Sequence, residues 1–125
     1  MHTVIETSAF LSDSLAAGMS DDERFALVSL IAADPRVGVL MPGTGGARKV
    51  RVAGRGKGKS GGYRVVTYFA APDVPAFVLA VINKGERSNL SKAEQNSLRK
   101  ELLGIADDYR AGLQRRMKEM SRRRR

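Results

Sequence analysis

Phe77-Val78-Leu79-Ala80-Val81-Ile82 is the run that most limits the folds open to this chain. A strand with one wet face alternates apolar and polar residues. This one has no polar side chain at all, and reads as a central strand buried on both faces. Ala71-Pro72-Asp73-Val74-Pro75, just before it, is a turn. The β-branched and aromatic stretch 62–70 precedes that turn, so 62–70 and 76–83 form an antiparallel hairpin. A third strand is expected over about 48–53, where Val50 and Val52 alternate with basic residues.

Helices flank these strands. Thr3 to Glu6 is a short first strand. Ser8 caps a short helix through Ala17, which Gly18 ends. Ser20-Asp21-Asp22-Glu23 is a capping box. It opens a helix with Phe25, Val28, Leu30, Ile31 and Ala32 among its apolar positions, stopped by Asp34-Pro35. The two helices make a helical hairpin. Val37 to Met41 is short and apolar, 42–46 is a loop, and Lys84 to Asn89 is a polar loop. Ser91-Lys92-Ala93-Glu94 is a second capping box. The long helix it opens carries Leu98, Leu102, Ile105 and Tyr109 as one apolar stripe that packs on the sheet. Past Leu113 the chain is basic and little else, and a frayed helix end and disordered tail are expected. The reading is an α+β domain over 1–114, with an antiparallel sheet and a C-terminal helix, followed by a tail over 115–125.

The chain has 125 residues and no cysteine, so one modest core must hold it without disulfides. No basic segment followed by an apolar run opens it, and no apolar stretch approaches the ~20 residues of a membrane span. A cytoplasmic location is expected. The net charge of +9 is concentrated in two places. Residues 48–64 hold seven Lys/Arg and no acid, and residues 110–125 hold eight basic residues and one acid. Residues 1–47 are acidic, with six acids against two bases. A cationic patch on ordered strands can position a phosphate, whereas one on a tail mainly concentrates the chain on a polyanion.

Alternation puts Lys49 and Arg51 on one strand face and Val50 and Val52 on the other. Arg48 precedes them, Arg55, Lys57 and Lys59 stand among glycines, and Arg64 begins the next strand. Ala53 to Ser60, A-G-R-G-K-G-K-S, fits a relaxed phosphate-binding loop. That motif needs a following helix, whose N-terminus meets the phosphates. Gly62-Tyr63-Arg64-Val65-Val66-Thr67-Tyr68 reads as a strand instead, so the segment is a basic hairpin connection.

Most catalytic apparatus is missing. There is no cysteine, and the single histidine is His2. Asp107 and Asp108 are neighbours on a helix and point apart, and Asp21 and Asp22 suit a helix N-terminus. No metal constellation is visible. Cationic chemistry remains. RNA carries its own nucleophile, the 2′-hydroxyl, beside its own electrophile, the phosphorus. Arg and Lys can align the two and neutralise the phosphorane oxygens. A lysine whose pKa is lowered by neighbouring cations can also serve as general base. The same patch equally suits RNA binding without cleavage.

Three segments in order carry a resemblance: Lys49-Val50-Arg51-Val52, Gly62-Tyr63-Arg64-Val65-Val66-Thr67-Tyr68, and Val81-Ile82-Asn83-Lys84-Gly85-Glu86-Arg87-Ser88. Over roughly 1–113 the chain resembles the RelE/HigB superfamily of bacterial toxins. Gly43-Thr44-Gly45-Gly46-Ala47-Arg48-Lys49 and the basic loop 54–62 resemble a HigB-type branch. The resemblance implies a type II toxin that cuts mRNA in the A site of the small ribosomal subunit. It implies the RNA 2′-hydroxyl as nucleophile, no metal or cofactor, and a HigA/RelB-type antitoxin as partner. It places Lys49, Arg51 and Arg64 on the family's catalytic positions. Where the archetype has a catalytic arginine this chain has Gly85, with Lys84 and Arg87 as the charges that could substitute. The residue near the family's base-stacking aromatic is Ser91. Arg48, Arg55, Lys57 and Lys59 would hold RNA. Within the same fold, a ParE-like inhibitor of gyrase is the alternative to a nuclease.

Overall fold

The computed structural model describes residues 1–53, 62–82 and 91–123. In chain order the elements are β1 (Val4–Glu6), α1 (Ser8–Ala16), α2 (Asp21–Ala33), β2 (Val39–Leu40), β3 (Ala47–Val52), β4 (Tyr63–Tyr68), β5 (Ala76–Ile82) and α3 (Lys92–Arg123). The five strands form one sheet in the order β1-β5-β4-β3-β2. The fold is α+β, as expected, but the sheet is mixed. β1 runs parallel to β5, pairing Val4 with Ala76 and Glu6 with Val78, and the other pairings are antiparallel. The parallel pairing follows from the connection, because α1 and α2 carry the chain across the sheet after β1.

The caps are specific. Thr7, not Ser8, caps α1: its hydroxyl accepts from the Phe10 amide at 3.2 Å and donates to the Val78 carbonyl at 2.8 Å. Thr7 wins because that second bond also ties the cap to β5. The Gly18 and Met19 amides bond back to the Leu15 and Ser14 carbonyls and close the helix. Ser20 and Glu23 form the expected capping box on α2. Beyond β1, the free edge of β5 is covered by α1, whose Asp13 carboxylate accepts from the Val81 amide at 3.1 Å.

Helices cover both faces of the sheet. Phe10, Met19, Leu27 and Ile31 pack with Val50, Val65 and Val78 on one face. Leu102 packs with Met41, Ala47 and Val66 on the other, and Ala106 with Val74 and Phe77. β5 is thus an interior strand packed on both faces, buried over Ala76–Val78 and half-buried from Leu79 to Ile82. Opposite β4, Val66 pairs with Ala80 and Thr67 with Val78, so Leu79 is an extra residue. The bulge shifts the alternation by one. Phe77 and Leu79 face α3 before it, and Ala80 and Ile82 face α3 after it.

In α2 the core-facing residues are Leu27 and Ile31, while Phe25 and Leu30 are 75% and 43% exposed. Arg110 grips the Asp73 carboxylate in the β4–β5 turn at 2.7 and 2.8 Å. The Arg110 hydrogen bond holds the Asp73 carboxyl below its ordinary range. What the exposed pair adds is small, is present near neutrality, and is lost as pH falls through that lowered pKa. The disordered tail expected from residue 115 is instead helix through Arg123. Residues 113–123 contain no Gly or Pro and are mostly strong helix formers, which extends the helix past its packed part.

Candidate functional site

β3 and β4 set three of the proposed catalytic side chains on one face. Ala47 is buried under α3, and alternation gives Lys49 and Arg51 the same side of β3. Arg51 pairs directly with Arg64 of β4, and Lys49 pairs with Val66, which also packs under α3. Lys49, Arg51 and Arg64 therefore share the α3 face, along the strands from the packed patch of Ala47, Val66 and Leu102. Arg51 is exposed, and Lys49 and Arg64 are half-buried. Like charges directly opposite on a sheet repel. Among the described residues, no ion pair relieves Arg51 or Arg64. A cross-strand arginine pair without a carboxylate is poised for an anion from outside.

The first turn of α3 completes this surface. Ser91 caps it: its hydroxyl accepts from the Glu94 amide at 3.2 Å, and Glu94 accepts from the Ser91 amide at 2.9 Å. This is the second capping box read from the sequence, and it occupies the residue at the family's stacking position. Gln95 lines a cleft of about 410 Å³ together with Lys49, Thr44, Pro42, Met41 and the β2 residues. The positive end of the α3 dipole thus lies beside the cationic strands, which favours an anion there.

The loop between β2 and β3 fixes that approach. Thr44 is fully buried; its hydroxyl donates to the Met41 carbonyl at 2.8 Å and accepts from the Ala47 amide at 3.1 Å. Gly43 has φ +73, and a Cβ there would stand 2.6 Å from Gln95 Oε1. A Cβ on Gly45 would stand 3.2 Å from Arg99 Cγ. These glycines let α3 sit directly on the loop. Gly43→Ala should cost about 1–2 kcal/mol from the left-handed backbone. The Gln95 side chain can swing aside, so the close contact itself adds little. A chemical-denaturation midpoint measures the loss.

Not every expected residue joins this face. Arg48 lies on the opposite side of β3, paired with Thr67, with its guanidinium 3.4 Å from the Gly38 carbonyl. Arg55, Lys57, Lys59, Lys84, Gly85 and Arg87 lie outside the described residues. After the glycine-rich segment comes the strand β4 and not a helix, which removes the phosphate-binding-loop reading. Gln95 was missed in the sequence. Its only sequence signal is its position one residue past a capping box, and that does not reveal what the turn faces. Among the described residues, no three His, Cys, Asp or Glu side chains group to hold a metal, and no helix is long and apolar enough to cross a membrane.

A family model described as the RelE toxin of the RelE/RelB toxin–antitoxin system matches residues 41–124. The matched span takes in the loop under α3, the cationic strands, the strand β5 and all of α3. The chain belongs to the RelE family, the toxins of RelE/RelB toxin–antitoxin systems.

Proposed function

We propose that this toxin is a ribosome-dependent endoribonuclease that cuts mRNA in the A site of the small subunit and so stops translation. The observation that supports this reading best is the cross-strand pair of Arg51 and Arg64, with Lys49 on the same face and, among the described residues, no carboxylate paired to either arginine. In the proposed step the 2′-hydroxyl of one nucleotide gives up its proton to solvent and its oxygen forms a bond to the adjacent phosphorus, as the bond to the 5′-oxygen breaks and that oxygen takes up a proton. The products are a 2′,3′-cyclic phosphate and a 5′-hydroxyl. Charge builds on the two non-bridging oxygens, and the arginine forks are suited to hold it. Arginine stays protonated, so it orients and neutralises but does not shuttle protons. Lys49, with Lys84 and Arg87 from the connection after β5, would supply the remaining charge near the departing 5′-oxygen. Arg48, Arg55, Lys57 and Lys59 would hold RNA outside the cut. A RelB- or HigA-type antitoxin would be the cognate protein partner, and the cytoplasm the place of action.

Adding purified protein to a reconstituted translation reaction tests the proposal. Primer extension should show mRNA truncated at codons occupied by ribosomes, and naked mRNA should stay intact under the same conditions. Intact mRNA with blocked translation would instead mark a ribosome binder. A supercoiling defect with normal translation would mark a gyrase inhibitor.

A further inference from the structure

Two apolar surfaces of this chain join none of the packed apolar clusters of the described residues, and they carry opposite charge. The first is the far end of α3. Its last well-buried residue is Ala106, yet the helix continues to Arg123. Leu113, Met117 and Met120, spaced by four and three, form one stripe along this end and are 42%, 60% and 55% exposed. Arg116 and Arg123 flank the stripe and Arg115, Lys118 and Arg122 lie on the far side of the same helix end, against the single acid Glu119.

The second surface is the outer side of α2, on the other face of the sheet. Phe25, Ala26, Leu30 and Ala33 are exposed along one arc of that helix, and Asp22 lies on the same arc. Asp21 and Asp22 make its first turn acidic. The only base in α2, Arg24, is already bonded to Glu6 and Asp21. Because α2 and α3 lie on opposite faces of the sheet, one molecule cannot bring these surfaces together.

We propose that two copies of the chain pair reciprocally, the projecting end of α3 from each packing antiparallel along the outer face of α2 of the other. The lengths agree. α2 has 13 residues, about 20 Å, and residues 110–123 span about 21 Å at the helical rise of ~1.5 Å per residue. Antiparallel packing sets Arg123, at the edge of the stripe, beside Asp21 and Asp22. It also sets the negative end of one helix dipole beside the positive end of the other. The pairing is reciprocal, so it closes as a two-fold dimer rather than growing into a filament. RNA would account for the charge on α3 but not for its apolar stripe, nor for the exposed face of α2. The contact uses none of Lys49, Arg51 and Arg64, so it stands apart from the cleavage proposal.

Sedimentation of the full-length chain over a concentration series, at physiological salt, tests the pairing. A mass shifting from one chain to two is expected. Phe25→Asp and Met117→Asp should each weaken the dimer by about tenfold or more, since each places a carboxylate in an apolar contact. Both positions are exposed, so circular dichroism should show the fold intact. Asp22→Lys should also weaken the dimer, and adding Arg123→Glu should restore it. A single-chain mass at every concentration overturns the proposal, as does a dimer indifferent to all three substitutions. A chain that stays monomeric but binds vesicles of anionic phospholipid through α3 overturns it as well.

Discussion

Arg64→Ala should lower the proposed ribosome-dependent mRNA cleavage by about 30-fold to 1000-fold, and growth arrest in cells should fall with it. The magnitude comes from a two-point contact between a guanidinium and a phosphate whose charge grows in the transition state. Losing such a contact costs roughly 2–4 kcal/mol of barrier. Arg64 is the residue to choose because it is half-buried near the start of β4, with Arg51 directly opposite. A half-buried arginine has fewer conformations to lose when it grips a ligand than an exposed one such as Arg51. Removing it also relieves a cross-strand repulsion, so stability should hold or rise slightly. That separates a functional loss from an unfolding one: the thermal midpoint stays level while cleavage collapses. Arg51→Ala and Lys49→Ala should lose activity too, and no order among them is assigned. Toxicity unchanged at equal expression would remove Arg64 from the site.

What the sequence disclosed about this fold depended on whether the deciding interaction was local. β5 was legible because six apolar residues in a row allow few other readings. Both capping boxes were legible because Ser20–Glu23 and Ser91–Glu94 each close within one turn. The parallel place of β1 was not, since three residues carry no register of their own and the crossover decides it. Nor was the bulge at Leu79, which exists only in the pairing of β4 with β5. Thr7 outcompeted Ser8 as a cap through a bond to Val78, seventy-one residues away. In the site, alternation alone put Lys49 and Arg51 together. Joining Arg64 to them needed the β3–β4 register, and composition does not give that. Placing Gln95 needed the packing of α3 on Gly43, which no helical period contains.

The same dependence on packing makes Leu102→Ala the most damaging single change expected in α3. Leu102 is 2% exposed and packs with Met41, Ala47 and Val66, between the loop that seats the helix and the strands that carry the cations. Truncating it loses the transfer energy of three carbons and leaves a cavity that a sheet on one side and a helix on the other cannot fully close. The cost should be about 2–5 kcal/mol, a large part of the roughly 5–15 kcal/mol that holds an ordinary domain. A thermal midpoint should fall by about 10 °C. Leu103 is the control. It is one residue on and 71% exposed, so Leu103→Ala should stay within about 0.5 kcal/mol. Leu98, Ile105, Ala106 and the Arg110–Asp73 pair still tether α3 in the Leu102 variant. Loosening should therefore be felt most at the first turn, where Gln95 meets the cleft of Lys49. Hydrogen exchange of the amides over 92–100 should rise well above that over 105–112. Equal losses from Leu102→Ala and Leu103→Ala would mean that α3 does not present this face to the sheet, and the placement of the cationic strands beside its first turn would fall with it.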